Sequence, residues 1–258
     1  MRKVFPKISI ITPSFNQGKF IKKTIDSVLS QNYPDLEYVV IDGGSTDNTV
    51  KILKSYGNKI KWISEKDKGQ ADAINKGLKI INGEIIAFIN SDDYYLPDTF
   101  KKIVDFFKQN ITCNVVTGDY LIINENGKPI QSFVGFYKNF LRKFNSFNLL
   151  SIANYINQPS TFWKKKVFNK VGFFNESLKY TMDYDYWLRI LKNKFKICIV
   201  NDKFAAFRIH SNSKGGCQYT FQFNEEQSVQ KKYNNKFIIN ILHSIHNMIV
   251  INIYRFIK

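Results

Sequence analysis

Between residues 7 and 90, short apolar runs alternate with segments whose apolar residues recur at helical spacing, and this alternation limits the fold more than any other feature. It is typical of β-α-β units, in which helices cover the faces of a parallel sheet. The predicted strands are residues 8–12, 36–41, 60–64, 85–90 and 114–118, and the predicted helices are residues 18–31, 47–56, 70–81 and 98–109. A chain of 258 residues is long enough for one large α/β domain with a tail.

Beyond residue 120 the pattern is less regular. Asn126 and Gly127 predict a hairpin turn between strands at 121–124 and 129–133. Residues 136–157 are aromatic, rich in Asn and basic, without clean periodicity, which predicts a mobile or acceptor-facing insertion. A strand at 159–163, a helix at 183–192 and a strand at 196–200 follow.

Charge and cysteine content narrow the class of protein. The formal net charge of +17, densest after residue 150, suits nucleic acid, an anionic membrane or phosphorylated substrates. Cys113, Cys198 and Cys217 show no CxxC spacing, which argues against a disulfide framework or a zinc site and favours a reducing cytoplasm. The apolar run at residues 8–11 is too short for the core of a signal peptide, so no export signal is visible.

The segment from about residue 218 predicts a separate amphipathic helical tail. Its apolar residues recur at spacings of three and four: Ile238, Leu242, Ile245, Ile249, Ile253 and Phe256. Residues 237–254 carry no formal charge, but their Asn, His and Ser side chains argue against a membrane-spanning helix. A helix lying in the plane of a membrane surface, and a helix packed on the rest of the domain or on a second subunit, are both open.

Two predicted strands end directly in acidic residues. Asp92 and Asp93 follow the strand at 85–90, and Asp42 follows the strand at 36–41. Adjacent carboxylates repel each other, so a pair at a strand end indicates a divalent cation or a polar ligand between them. Open α/β sheets bind ligands beyond the carboxyl ends of their strands, which predicts a nucleotide-binding enzyme.

The end of the first strand is a candidate nucleobase site. Thr12, Pro13 and Phe15 lie in a turn that would place an aromatic face against a base, with an ordinary strand-to-helix connection as the alternative. Asp42 would accept hydrogen bonds from the base or the ribose. The alternative role of Asp42 is to cap the next helix, but Asp47 or Thr46 already fills that role.

A second polar turn, at residues 67–75, supplies further candidates. Lys68 would neutralise a diphosphate, and Gln70 or Asn75 would hold a sugar. For Lys68 and Asp72 a solvated helix face explains the residues equally well.

Several segments in order resemble the family 2 glycosyltransferases with the GT-A fold: ISIITPSFNQG, VVIDGGSTDNT, DKGQADAINKG, IIAFINSDD, QPSTFW, MDYDYWLR and FRIHSNS. The resemblance covers about residues 7–215. It implies an α/β fold with a Rossmann-like, mostly parallel sheet flanked by helices. It also implies transfer of a sugar from a UDP-, dTDP- or GDP-linked donor to an acceptor hydroxyl, with inversion at the anomeric carbon.

The resemblance also implies site residues. The family's Asp-x-Asp metal motif falls on Asn90, Ser91 and Asp92, followed by Asp93. Ser91 and Asp92 would contact the nucleotide sugar, and Asp92 and Asp93, with His210 as an additional candidate, would hold Mg²⁺ or Mn²⁺. The chain departs from the family pattern at Asn90, which replaces the first acid of this motif. It departs again at Gly43, which takes the place of a second acid after Asp42 and leaves the identity of the nucleobase open.

The family's acidic pair at a helix start falls on Asp183 and Asp185. Asp183 is the predicted general base and Asp185 the second choice, since two carboxylates this close on a helix face different directions. The residues expected near the acceptor or the diphosphate are Gln158, Trp163, Arg208 and Lys214. The irregular insertion at 136–157 would face the acceptor.

These features divide the chain into residues 1–217, the glycosyltransferase domain, and 218–258, the tail. Residues 1–120 would bind the nucleotide sugar, and 121–217 would supply the acceptor site and the base. The predicted acceptor is a glycan, in particular a lipid-linked oligosaccharide for a cell-surface polysaccharide, used at the cytoplasmic membrane face. A sugar nucleotidyltransferase is less favoured, because no Gly-rich basic loop follows the first strand. A nucleic-acid-binding module is less favoured because no such motif is present.

Overall fold

The computed structural model describes residues 5–130, 133–211 and 219–257. In these ranges eight strands form one sheet, in the order β3-β2-β1-β4-β7-β6-β8-β5. The strands are β1 (Ile8–Ser14), β2 (Leu36–Asp42), β3 (Lys61–Ser64), β4 (Ile85–Phe88), β5 (Tyr94–Tyr95), β6 (Val115–Ile123), β7 (Thr161–Lys164) and β8 (Ile197–Arg208). The helices are α1 (Ile21–Leu29), α2 (Thr49–Ser55), α3 (Gln70–Ile80), α4 (Thr99–Gln109), α5 (Phe133–Arg142), α6 (Phe147–Ile152), α7 (Lys165–Val171), α8 (Met182–Lys192), α9 (Tyr219–Tyr233) and α10 (Phe237–Ile257).

The sheet is parallel where the sequence alternates strand and helix. Strands β3, β2, β1 and β4 are mutually parallel neighbours. Strand β7 pairs antiparallel with β4 and with β6, while β6 and β8 run parallel. The predicted α/β class, with a mostly parallel sheet flanked by helices and a helical C-terminal stretch, is confirmed.

Helices cover the sheet on both faces. Because successive side chains of a strand point to opposite faces, Ile11 and Ile41 belong to one core and Ile10 and Val40 to the other. The first core includes buried residues of α3, α6 and α8, and the second includes those of α1, α2 and α4. Burial on both faces explains why these strands read as continuous apolar runs.

In the middle of the chain the predicted hairpin turn forms, whereas the predicted mobile insertion does not. The turn at Asn126 and Gly127 has Gly127 at φ 80°, and the described residues on its two sides pair through an antiparallel bridge between Ile123 and Pro129. Residues 136–157 are largely helical, in α5 and α6, and Leu150 of α6 is fully buried in the first core. Packing against the core outweighs the weak local pattern.

The cysteine spacing argues against a disulfide framework, yet the structure joins Cys113 and Cys198 in one disulfide, with 6.1 Å between their Cα atoms. Cys113 lies just before β6, and Cys198 lies in β8 opposite Val116. Local spacing does not reveal this pair, because pairing of two strands brings together cysteines separated by 85 residues.

The two C-terminal helices pack on the domain. Helix α9 contacts α6 and α8, and α10 contacts α6 and α9. In the part of the chain that the structure describes, no helix combines the length and apolar character needed to cross a bilayer. The outer side of α10 carries exposed large apolar side chains: Phe237, Ile238, Ile241, Leu242, Ile245, Met248 and Ile249.

Candidate active site

The carboxyl ends of β1, β2 and β4 lie side by side. The register pairs Ser14 with Asp42 and Ile11 with Phe88. The turn after β1, the turn after β2 and the 90–93 segment therefore leave the sheet at one edge, which is where open α/β sheets bind ligands.

Hydrogen bonds join the first two of these turns. The backbone N–H of Asn16, a residue with φ 51°, donates to Ser45 Oγ (2.7 Å), and Asn16 Oδ1 accepts from the backbone of Thr46 (2.8 Å). Gly18 N–H donates to Asp47 Oδ2 at 2.9 Å. Asp47 also accepts from the N–H of Thr49, the first residue of α2. These hydrogen bonds fix the turn after β1 relative to the turn after β2.

Of the predicted nucleobase contacts, Phe15 is the accessible one. Its side chain is 57% exposed, whereas Thr12 is fully buried and its hydroxyl lies 3.0 Å from the Tyr38 hydroxyl. Pro13 is buried in β1. The ring of Phe15 is thus open to stacking, and Thr12 and Pro13 support the strand beneath it.

Asp42 is fully buried, and its carboxylate is occupied by neighbouring groups. Oδ2 accepts from the backbone of Ser45 (2.9 Å) and from Ser64 Oγ (2.7 Å), and Oδ1 accepts from Ser45 Oγ. Asp42 therefore holds the turn, and a nucleobase would have to share these oxygens.

Asp67, which the sequence does not single out, lies beside Gly43, one of the two positions where the chain departs from the family pattern. A Cβ placed on Gly43 would meet Asp67 Oδ2 at 2.5 Å. Burial, its largest influence, raises the pKa of Asp67, with Asp72 and Asp42 adding to the effect. A carboxylate from the β3–α3 connection thus occupies the space beside Gly43. The missing acid at position 43 is the sequence signal that points to it.

The polar residues of the 67–75 turn have different surroundings. Lys68 is exposed. Asn75 is buried, donates to the carbonyl of Phe174 and to Glu176 Oε1, and accepts from the Phe174 N–H, all at 2.9 Å. The predicted sugar contact of Asn75 does not match this arrangement, because its amide ties α3 to a loop about 100 residues away.

Three amide side chains converge beside the metal motif. Gln70 Nε2 donates to Asn90 Oδ1 at 2.6 Å, and Asn90 Nδ2 lies 3.4 Å from Gln158 Oε1. Gln158 Nε2 donates to the carbonyl of Phe88 at 2.9 Å. Asn90 thus links two residues predicted separately for the donor and the acceptor side.

The two acids that follow Asn90 differ in environment. Asp92 is partly exposed, and its Oδ2 lies 3.0 Å from His210 Nε2. Asp93 is 1% exposed and accepts the backbone N–H of Arg208 at 2.8 Å. Burial, together with the charge of Asp92, raises the pKa of Asp93 well above its ordinary value. The prediction of Asp93 as a metal ligand does not match this burial. Ser91 is also buried.

Asp92 and His210 fit a metal ion bound by few protein groups. Asp92 Oδ2 and His210 Nε2 form a hydrogen bond of 3.0 Å, and two adjacent ligands about 2.1 Å from an octahedral ion would lie about the same distance apart. Among the residues described, no group of three or more His, Cys, Asp or Glu side chains is placed to hold a metal. Mg²⁺ or Mn²⁺ would therefore take its remaining ligands from a diphosphate and water.

The residues predicted near the acceptor or the diphosphate are mostly enclosed. Arg208 is buried; its Nε donates to the carbonyl of Asp92 (2.9 Å) and its Nη1 to that of Glu125 (2.8 Å). Trp163 is 1% exposed in the core, so the predicted stacking of Trp163 on an acceptor is wrong. Lys214 lies outside the described residues.

The two candidate bases on α8 are clearly distinguished. Asp185 is 1% exposed, pairs with Arg189 Nε (2.8 Å) and accepts the Tyr233 hydroxyl (2.7 Å). Asp183 is partly exposed, and its Oδ1 accepts the N–H of Tyr184 at 2.8 Å. Asp185 has the surroundings of a structural carboxylate, and Asp183 has those of an accessible one.

Comparison with known proteins agrees with this geometry. The model of glycosyl transferase family 2 matches residues 9–172, and the chain belongs to this family. Chondroitin synthase of Escherichia coli is 29% identical over 201 residues, which are 75% of this chain and 28% of that enzyme. The chain spans about a third of the length of the first curated relatives it matches, at 30–33% identity.

Two solved structures show the same fold at low identity. TarS 1–349 of S. aureus in complex with UDP-GlcNAc superposes with a TM-score of 0.67 at 20% identity, covering 86% of this chain and 65% of that one. The mannosyltransferase PcManGT of Pyrobaculum calidifontis, in complex with GDP-Man and Mn²⁺, gives 0.66 at 19% identity, covering 87% and 62%. These likenesses identify a GT-A type of fold, in agreement with the family.

Proposed function

We propose that this glycosyltransferase moves a sugar from a nucleotide diphosphate sugar to an acceptor hydroxyl, with inversion at the anomeric carbon. The observation that carries the proposal is the Asp92–His210 pair, 3.0 Å apart, beyond the carboxyl end of β4, next to the strand that presents Phe15. Neighbours of the same fold are bound to UDP-GlcNAc or to GDP-Man, which supports a nucleotide sugar donor without selecting the base.

In this proposal each residue has one task. Phe15 stacks on the base, and Asp67, beside Gly43, accepts a hydrogen bond from it. Asp92 and His210 would hold Mg²⁺ or Mn²⁺, which would stabilise the negative charge of the departing diphosphate. Asp183 removes the proton of the acceptor hydroxyl as that oxygen attacks the face opposite the diphosphate.

For the acceptor we propose a glycan of a cell-surface polysaccharide, carried on a lipid at the cytoplasmic membrane face. The exposed apolar side of α10 and the net charge of +17 support contact with an anionic bilayer. The likeness to a chondroitin synthase supports a polysaccharide product. Co-sedimentation with anionic vesicles tests the membrane contact.

A panel of nucleotide sugars tests the reaction. We expect one or a few of them to raise the melting temperature and to be consumed in the presence of Mn²⁺ and an acceptor. Asp183→Asn should lower transfer by about 10²–10⁴-fold while the same donor still raises the melting temperature. Undiminished transfer by Asp183→Asn would reject the base assignment. Cleavage of nucleoside triphosphates, or DNA binding with a steep salt dependence, would favour the two rival functions.

A further inference from the structure

Helix α9 lies beyond the matched family segment, yet one of its carboxylates binds the chain just before α8. Glu225 Oε1 accepts the backbone N–H of Lys179, and Oε2 accepts those of Tyr180 and Thr181, each at 2.8 Å. Oε2 also accepts the Thr181 hydroxyl at 2.9 Å. One side chain thus binds three successive residues.

This contact takes up the side chain that would usually cap α8. Thr181 stands at the N-cap position, but its side chain makes no capping hydrogen bond to its own helix, because the hydroxyl is directed to Glu225. Asp183 is the second residue of α8. The placement of its Cα therefore depends on where Glu225 holds residues 179–181.

A second residue of α9 contacts the first turn of α8 itself. The Tyr233 hydroxyl donates to Asp185 Oδ1 at 2.7 Å, and Asp185 also lies in the first turn of α8. Burial acts to raise the pKa of Glu225, but the hydrogen bonds from residues 179–181 outweigh it and lower this pKa. Glu225 is therefore a charged acceptor near neutral pH, and charge-assisted hydrogen bonds of this kind are the stronger ones.

We propose that Glu225 is a positioning residue for the acceptor-activating carboxylate of Asp183, which makes α9 part of the catalytic unit. The inference rests on the proposed function, because it takes Asp183 as the base. A displacement of about 1 Å at a reacting group is enough to cost about 10²-fold in rate. The hydrogen bonds of Glu225 described above go to residues 179–181 and not to the donor edge at β1, β2 and β4, so donor affinity should not change.

The test compares Glu225→Ala and Glu225→Gln with Asn224→Ala, a change at an exposed residue of the same helix. We expect Glu225→Ala to lower kcat at least tenfold, with the Kd of the donor nucleotide sugar unchanged within twofold. Glu225→Gln, which keeps the shape and one acceptor oxygen, should fall between Glu225→Ala and the unaltered chain. Asn224→Ala should match the unaltered chain. Amide exchange of residues 179–184 should accelerate in Glu225→Ala.

Three results would overturn the proposal in distinguishable ways. If Glu225→Ala keeps full kcat while Asp183→Asn is inactive, the positioning role is rejected and the proposed function stands. A weaker donor Kd and a lower kcat in equal proportion would indicate general loss of structure and would also reject it. If the unaltered chain transfers no sugar from any donor, the proposed function fails and the inference fails with it.

Discussion

The two C-terminal helices form one predicted tail in the sequence, but they relate to the domain in different ways. Helix α9 directs carboxylates and a tyrosine inwards, where Glu225 and Tyr233 bond to the segment that carries the candidate base. The inner side of helix α10 contacts the domain through His243, whose Nδ1 lies 3.0 Å from the carbonyl oxygen of Ile152. The outer side of α10 is apolar and exposed. Helical periodicity alone therefore does not separate a helix that serves a site from one that offers a surface.

Buried ionisable groups mark the inner sides of both helices. On α9, burial is the main cause that raises the pKa of Glu226 to about 7; Asp183 adds to the rise and Lys138 opposes it. On α10, burial lowers the pKa of His243 to about 4. The folded state thus favours the neutral form of both side chains, and their effects on stability have opposite pH dependence.

The largest expected effect concerns Asp185 of α8, which pairs with Arg189 of its own helix and accepts the Tyr233 hydroxyl of α9. Asp185→Asn should lower the free energy of unfolding by about 3 kcal/mol, because it removes the charge that pairs with Arg189 and weakens the bond from Tyr233. Urea unfolding at neutral pH measures this.

The matched control on α10 is Ile249→Ser, at a side chain 51% exposed, which should change the free energy of unfolding by less than about 0.5 kcal/mol. Tyr233→Phe should cost about 1 kcal/mol. Equal losses for Tyr233→Phe and Ile249→Ser would remove the contrast between the two helices.

An effect of similar size, about 3 kcal/mol, is expected from the pH dependence of α9. Between pH 4.5 and about 7, Glu226 is ionised in the unfolded chain but neutral in the folded one, so its contribution to the free energy of unfolding falls as pH rises through this range. Glu226→Gln lacks this dependence. The free energy of unfolding of the variant, relative to that of the unaltered chain, should therefore increase from pH 4.5 to 7 and stay constant above pH 7.

Urea unfolding of both proteins at pH 4.5, 6 and 8 measures the difference, in which the opposite contribution of His243 cancels. A difference that is the same at all three pH values would show that Glu226 is not kept neutral by its burial.

Much of the fold could be predicted from the sequence because its signals are local. Strands β1, β2 and β4 read as apolar runs, and the polar and acidic residues that end them are enough to predict that Phe15, Asp42 and Asp92 lie at one sheet edge. The hydrophobic period and the turn residues after each strand suffice for this.

The rest depends on contacts between distant segments. Asn75 and Trp163 look like ligand-binding residues, but partners from other elements enclose them. Glu225 has no local signal, since its partners at 179–181 are 44 to 46 residues away. Gly43 indicates a missing acid, but only the path of the β3–α3 connection brings Asp67 to that place.

The smallest expected effect concerns the surface of α10. Replacing four of its exposed apolar residues, Ile238, Leu242, Ile245 and Ile249, by Ser should lower binding to anionic vesicles at least tenfold, because apolar contact and charge attraction act together at such a surface. Transfer to a water-soluble acceptor should be unchanged. The control is Phe221→Ser on α9, a side chain 67% exposed, which should leave vesicle binding as it is. The opposite outcome is an unaltered chain that is a dimer and does not bind vesicles, and a fourfold variant that is a monomer. In that case the exposed face of α10 binds a second subunit, and both helices make protein–protein contacts.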